Sequence, residues 1–286
     1  MTTWNAEEVP RLEPVRFPGK LRGAVRLTLL VSMTLVAVVF FLIGRGLRGV
    51  IGRFITFHFG IAWAWARMCL WLAGLRLRVH GTPIRQGVLA ANHSSWLDIL
   101  ALRAVRLIYF VSKAEVANWP GVGFITRITG TIFIERRRSQ AKQQEAMLRD
   151  RIQQDELLCL FPEGTSTDGL RVLDFKSSLF SALFKDDEGT DIQAQPVTVR
   201  YHPDTKGGLP QNFYGWWGDM GFEGHIWDVL TRSRNGLVEV IFHPPVKASA
   251  FLNRKLLSEH CQRAVATGMQ TGQPAEIPAL PGQEDA

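Results

Sequence analysis

The sequence predicts an α/β fold: a mixed, largely parallel sheet flanked by helices, with an N-terminal membrane-associated helical segment. Three observations predict it. From residue 76 onward, short apolar runs alternate with longer helical patterns, as expected of strands linked through helices. Before that point, the 17 residues 27–43 carry no charge and are bracketed by Lys20, Arg22 and Arg26 in front and by Arg45, Arg48 and Arg53 behind. The chain has 286 residues, 46% hydrophobic and 21% charged, enough for one large domain with a substantial core.

The apolar run 27–43 is at the short end of what spans a bilayer. A signal peptide would carry basic charge only in front of its apolar core, so the basic rear flank argues against one. A second stretch, 54–75, holds Trp63, Trp65 and Trp71 and is interrupted by Arg67, a composition suited to the headgroup level. Either the first segment spans and the second lies flat, or the two form a hairpin dipping into one leaflet. A buried pair of core helices is the competing reading. Residues 75–79 alternate as a strand does and end at Gly81-Thr82-Pro83. Strands are expected at 88–91, 107–111, 131–134, 157–161, 195–201 and 238–242. Helices are expected at 96–103, 139–154, 175–184 and 250–269; the second carries a Glu145–Arg149 i,i+4 pair. The organisation expected is a tail and membrane-anchoring helices over 1–75, an α/β domain over 76–270, and a disordered tail over 271–286.

Net charge is +7, which favours nucleic acid, anionic membrane or anionic substrate as partner. The first 60 residues hold eight Lys or Arg against three acids, and those bases flank the apolar run, which points to membrane. No nucleic-acid motif is present, so no nucleic-acid partner is expected. Three isolated cysteines, Cys69, Cys159 and Cys261, without a C-x-x-C, argue against a disulfide framework or zinc site and suit a reducing compartment.

The chemistry centres on Asn92-His93-Ser94-Ser95-Trp96-Leu97-Asp98, directly after the apolar run 88–91. His93 would sit at a strand's exit. Ser94 or Ser95 would cap a helix carrying Asp98 in its first turn. A base and the acid that orients it would then share one local turn. A second group is Phe161-Pro162-Glu163-Gly164-Thr165, at the exit of the 157–161 strand, where ligands gather in open α/β sheets. Gly164 would let a substrate approach the backbone and turn its N–H to an anion, and Thr165 would offer a hydroxyl; a plain strand-to-loop turn is the alternative. Arg136 ends the 131–134 strand with a guanidinium able to fork onto phosphate, beside Arg137 and Arg138. Lys113 and Glu115 follow the 107–111 strand, as an acceptor contact or a surface ion pair. No G-x-S-x-G, H-E-x-x-H or G-x-x-x-x-G-K-[ST] occurs, so serine-hydrolase, metalloprotease and NTPase chemistries lack their residues. The aromatics of 202–226 (Phe213, Tyr214, Trp216, Trp217, Phe222) suit either lipid contact or a self-packed loop.

Taken together, N-H-S-S-W-L-D, G-T-I-F-I-E-R, F-P-E-G-T and Pro196-Val197 resemble the four ordered blocks of the glycerolipid acyltransferases, over roughly residues 75–245. The resemblance implies an α/β fold with a membrane-associated N-terminal part and acyl transfer from a thioester to a lysolipid hydroxyl. It makes His93 the catalytic base and Asp98 its orienting acid. It assigns Glu163, Gly164, Thr165, Arg136 and Lys113 to the acceptor. Two positions depart from the pattern. Ser166 stands where members often carry Arg, with Asp168 following, and the second block ends Glu135-Arg136 rather than Asp-Arg. The run F-P-E-G-T-S-T-D-G and residues 175–180 and 214–220 are similar to a bacterial subgroup that includes lyso-ornithine lipid acyltransferases.

The resemblance leads us to expect a membrane-bound O-acyltransferase whose acceptor is 1-acyl-sn-glycerol-3-phosphate, giving phosphatidic acid, with lyso-ornithine lipid as the alternative. The partners expected are a membrane lipid acceptor and an acyl thioester, acyl-ACP or acyl-CoA, with no metal and no other cofactor. The oxyanion donors expected are backbone N–H groups near Gly164 or the 94–96 turn. The location expected is the inner (cytoplasmic) membrane, with the site facing the cytoplasm. A non-catalytic lipid-binding membrane protein and a thioesterase are the rival readings.

Overall fold

The computed structural model describes residues 4–5, 7–10, 12–52, 56–135, 140–185 and 188–275. In chain order the elements are α1 (Phe17–Ile51), α2 (Phe57–Leu72), β1 (Leu75–His80), β2 (Gly87–Ala91), α3 (Leu97–Arg103), β3 (Tyr109–Lys113), α4 (Val122–Ile128), β4 (Ile132–Ile134), α5 (Ala141–Gln153), β5 (Leu157–Leu160), β6 (Phe184–Lys185), β7 (Glu188–Gly189), β8 (Gln193–His202), α6 (Phe222–Arg232), β9 (Gly236–Phe242), β10 (Val246–Lys247) and α7 (Arg254–Thr271). The main sheet runs β1-β9-β8-β2-β5-β3-β4, with β10 against β8. Every neighbouring pair in that path is parallel except β8 with β9.

The uninterrupted apolar runs explain the centre of the sheet. β2 and β5 are buried along their whole length, so both faces must be apolar. Alternation then sorts their side chains. Leu89, Ala91, Leu157 and Cys159 face one core with α2 and α3, where Cys69, Leu70, Leu97, Ala101, Val197 and Val240 pack. Val88, Ala90, Leu158 and Leu160 face the other, with Leu148 and Ile152 of α5 and Leu257, Cys261 and Val265 of α7. Truncating any of these central leucines to alanine costs about 2–5 kcal/mol by the usual cavity relation. β2, β5, β3 and β8 all run parallel, so their carboxyl ends, and the loops that follow, share one rim of the sheet.

α1 is a single helix of 35 residues, long and apolar enough by length and composition to cross a membrane. It packs along the domain instead of standing clear of it. Gly19 and Gly23 lie against Thr231 and Trp227 of α6, and Arg22 and Arg26 donate to the α6 carbonyls of Thr231 and Leu230. Further along, Trp65 of α2 donates to Thr34 at 2.9 Å, and Gly44 sits on Phe57 and His58. Near its carboxyl end Arg45 donates to the Ile128 carbonyl of α4 at 2.6 Å. Its other face is open and apolar: Val31, Leu35, Val36, Val39, Phe40 and Ile43 are all exposed.

Several boundaries differ from expectation. The 107–111 strand begins two residues late. The 175–184 segment is a tight 3-10 turn over Ser177–Leu183, not an α-helix; between extended Lys176 and Phe184 it has room only to tuck Phe180, Ala182 and Leu183 into the core. The last helix starts at Arg254, because Asn253 caps the amides of Lys255 and Leu256. Helices α4 and α6 fall where none is expected. Residues 276–286, and the start of the 139–154 helix, lie outside the described residues.

Candidate active site

β2 delivers its last residues to the rim, and Asn92 holds the exit. Its side chain accepts from Val199 N–H at 2.7 Å and donates to the Val199 carbonyl at 3.0 Å, locking the turn to β8. His93 follows. Its Nδ1 lies 2.8 Å from Asp98 Oδ2. Asp98 sits in the first turn of α3, fully buried. The same Oδ2 accepts the amides of Ser94 at 2.8 Å and Ser95 at 2.9 Å, and Oδ1 accepts the Tyr201 hydroxyl at 2.7 Å. Three donors besides the imidazole fix Asp98 as an acceptor. Nδ1 therefore carries the ring proton and Nε2 the lone pair. Ser95 Oγ accepts only a long bond from Leu97 N–H, 3.4 Å; the acid reaching back does more to cap this helix than either serine.

Tyr201 is the residue that sequence reasoning misses. It lies 103 positions from Asp98, and only the β2–β8 pairing brings it close. Burial, and then the Asp98 charge, push its hydroxyl well above the usual tyrosine range, so it stays a donor.

The His93 ring lies against Phe161, centroids 4.2 Å apart and nearly parallel, and Phe161 in turn faces Phe110. The His93 side chain keeps 22% exposure. The backbone of His93 is held on both sides by the 163–167 loop. Glu163 Oε1 accepts the His93 N–H at 2.7 Å, and the His93 carbonyl accepts the Thr167 N–H at 3.0 Å.

The other expected site residues fall as follows. Glu163 is 2% exposed, and its second oxygen accepts Leu173 N–H at 2.9 Å, so its carboxyl is committed to backbone on both sides. Burial pushes it up to about 8, against the pull of those two amides. Gly164 has φ +71°, which favours glycine, and its N–H closes the turn onto the Phe161 carbonyl at 3.0 Å instead of facing outward to an anion. The Ser94 and Ser95 amides, expected as oxyanion donors, hold Asp98. Thr165 is half-buried on the rim and accepts the Trp4 amide at 3.4 Å. Lys113 ends β3 on the same rim. Arg136 lies outside the described residues. Asp168, one of the departures from the family pattern, is 1% exposed; its oxygens take Arg171 and the Leu170 amide.

Of the loop aromatics, Phe213, Tyr214 and Trp217 are buried, as a self-packed loop requires. Trp216 and Phe222 stay half-buried and form one cluster with Trp96 and Trp119. The Trp216 amide donates to the Ser94 carbonyl at 2.8 Å, so this cluster borders the His93 turn.

Comparison with known proteins places the chain among acyltransferases. The family model described as Acyltransferase matches residues 76–200. The chain is 43% identical to a lyso-ornithine lipid O-acyltransferase of Rhodobacter capsulatus, over 93% of this chain and 96% of that one. It is 36% identical to a lyso-ornithine lipid O-acyltransferase of Rhizobium meliloti, over 68% and 69%. A 1-acyl-sn-glycerol-3-phosphate acyltransferase of Neisseria meningitidis is 33% identical over 52% and 56%. The crystal structure of the 1-acyl-sn-glycerophosphate (LPA) acyltransferase of Thermotoga maritima shares the fold, with a TM-score of 0.60 at 20% identity, over 87% of this chain and 96% of that one.

Proposed function

Since the chain belongs to the acyltransferase family, whose known members include lysolipid O-acyltransferases, we propose that it moves a fatty acyl group from an acyl thioester to the free hydroxyl of lyso-ornithine lipid. The observation that carries the chemistry is the His93–Asp98 pair. A buried carboxylate with three further donors holds the imidazole by Nδ1 and leaves Nε2 as the base on the exposed side.

The acceptor hydroxyl is a poor nucleophile at neutral pH. His93 Nε2 takes its proton as the oxygen attacks the thioester carbonyl. Asp98 offsets the charge of the imidazolium. The tetrahedral intermediate collapses: the carbon–sulfur bond breaks, the ester remains on the lipid, and the imidazolium proton goes to the departing thiolate. Stacking on Phe161, and the Glu163 and Thr167 bonds to its backbone, keep the ring from swinging out of line. Glu163 acts here as a positioning residue. The donor is acyl-ACP or acyl-CoA.

The choice of lyso-ornithine lipid over 1-acyl-sn-glycerol-3-phosphate is supported by likeness over nearly the whole chain rather than about half of it. Ser166 in place of a cation supports it further. For the membrane arrangement, we favour a hairpin of α1 and α2 lying in one leaflet of the inner membrane, with the site open to the cytoplasm. α1 is bonded to the α/β domain near both ends, at α6 and at α4, and a helix clamped twice by one body has no free end to send across.

The test is purified protein in detergent with labelled acyl thioester, on either carrier, and a panel of lysolipids. Acylation of lyso-ornithine lipid is expected. His93→Ala should lower turnover by roughly two orders of magnitude or more, and Asp98→Asn should be nearly as inactive through the wrong tautomer. An alanine variant that still turns over normally refutes the base. Free fatty acid release without ester would make the protein a thioesterase, and no turnover with retained lipid binding a scaffold.

A further inference from the structure

Just beyond Thr165 the chain builds a charged group that the transfer chemistry leaves unused. Arg171 is held bidentately by Asp168, Nη2 to Oδ2 at 2.9 Å and Nε to Oδ1 at 3.3 Å. Asp168 is buried, whereas the Arg171 side chain keeps 42% exposure. An arginine fixed from behind by a buried carboxylate, with its other side reaching solvent, is an arrangement that receives an exchangeable oxyanion. The loop bearing it lies on the catalytic turn. Thr167 bonds the His93 carbonyl, and a Cβ on Gly169 would stand 3.4 Å from that of Ser94.

A carboxylate already sits in front of the guanidinium. Glu7 Oε1, from the N-terminal segment, lies 2.9 Å from the same Nη2. That segment is laid over the rim. Trp4 packs beneath the guanidinium at 5.1 Å and edge-on to Trp217, its amide reaches Thr165 Oγ1, and the Glu7 carbonyl accepts from Trp217 Nε1 at 3.2 Å. Glu7 is itself about half exposed, at 47%. A solvent-exposed pair of this kind is weak and easily exchanged.

We infer that Arg171 is the receptor for the anionic group of the acceptor's head, oriented by Asp168, and that Glu7 occupies this position until the acceptor displaces it. The inference rests on the acceptor reading above and names the residue that reads the head. An ornithine head acylated on nitrogen keeps a free carboxylate, the same chemical group that Glu7 presents. Asp168, with both oxygens engaged, orients Arg171 and leaves the amine of the head to other partners.

The test compares lyso-ornithine lipid with its carboxyl methyl ester, and with lysophosphatidic acid, in the wild type, Arg171→Ala, Arg171→Lys and Glu7→Gln. For the wild type, KM should rise roughly 10- to 100-fold on esterification, the range of a charge-assisted hydrogen bond. Arg171→Ala should raise KM for the free acid by a similar factor and lose the distinction between acid and ester, with kcat little changed. Arg171→Lys should recover part of it, which a folding defect would not allow. Glu7→Gln should lower KM for the free acid. An Arg171→Ala variant that still prefers the free acid as the wild type does overturns the inference. An unchanged KM in Glu7→Gln overturns the occupancy by Glu7. A wild type that acylates lysophosphatidic acid but not lyso-ornithine lipid overturns the acceptor reading, and this inference with it.

Discussion

At the scale of single residues, Glu163 shows what burial does to a motif. The F-P-E-G-T string places an acid at a strand exit, and the family resemblance assigns that acid to the acceptor. In the fold both its oxygens are used by amides, and burial pushes it up to about 8. The folded state therefore holds a proton that an unfolded carboxyl releases near pH 4.5. The stability tied to that proton is fully present below about pH 4.5 and is lost as pH rises through about 8. Glu163→Gln can accept only one of the two amides, and turns an NH2 toward the other. It should be less stable than the wild type at pH 5 by about 1–3 kcal/mol. Because the variant does not titrate, the gap should narrow toward pH 8. Thermal unfolding of both proteins across pH 5 to 9 checks this; a gap that is constant or widens with pH refutes the protonated state. His93 and Asp98 were legible because five positions and one helical turn bring them together. Tyr201 was not, because a lone tyrosine in a β-strand has many possible neighbours and sequence spacing says nothing about which strand lies beside it.

At the scale of elements, strong periodicity was legible and weak periodicity was not. β2 and β5 read clearly because a strand covered on both faces must be apolar throughout. α4 was missed because its seven residues include Gly123, a poor helix former, and too few turns to show a period. That glycine is required by the contact it makes: a Cβ would meet the Ala117 carbonyl oxygen at 2.1 Å. α6 was missed because the aromatics before it dominate the reading, although His225, Val229 and Leu230 do share its buried face and Asp228–Arg232 is an i,i+4 pair. The glycines at 19 and 23 gave no sign of their use until α6 was seen to cross there. Gly23→Leu would drive its side chain into the Thr231 methyl, closer than real contacts come, with the Trp227 ring tight beside it. Overpacking of this kind should cost about 1–3 kcal/mol, read as a lower melting temperature in detergent. A melting temperature equal to the wild type's would mean that α1 and α6 do not pack as described.

At the scale of the whole molecule, the proposed membrane arrangement rests on connection rather than composition. A 35-residue helix is about 52 Å long, ample to cross a bilayer, and its hydropathy alone allows either a span or a leaflet hairpin. The bonds from Arg26 to α6 and from Arg45 to α4 favour the hairpin. Cysteines placed at Lys20 and Gly49 should then react with an impermeant maleimide from the same side, in inverted but not right-side-out vesicles. The three native cysteines are buried and free, so background labelling should be low. Labelling of the two positions from opposite sides would establish a span.

By itself the sequence determined that His93 and Asp98 meet and that the domain is layered, because that pair and the buried strands are written in neighbouring residues and their periods; acyl transfer was what the family resemblance implied. Only the tertiary structure decided which groups are spent and which are open. The Glu163 carboxyl and the Gly164 amide look available in the chain, yet each is committed to a backbone partner. Arg171, which belongs to no motif in the sequence, is held from behind by buried Asp168 and faced at the rim by the exposed Glu7 carboxylate. The reason is physical: a polar group's availability depends on which donors and acceptors share its buried surroundings, and the fold assembles those both from within one loop, as at Gly164, and by strand pairing across more than a hundred residues, as for Tyr201 on Asp98.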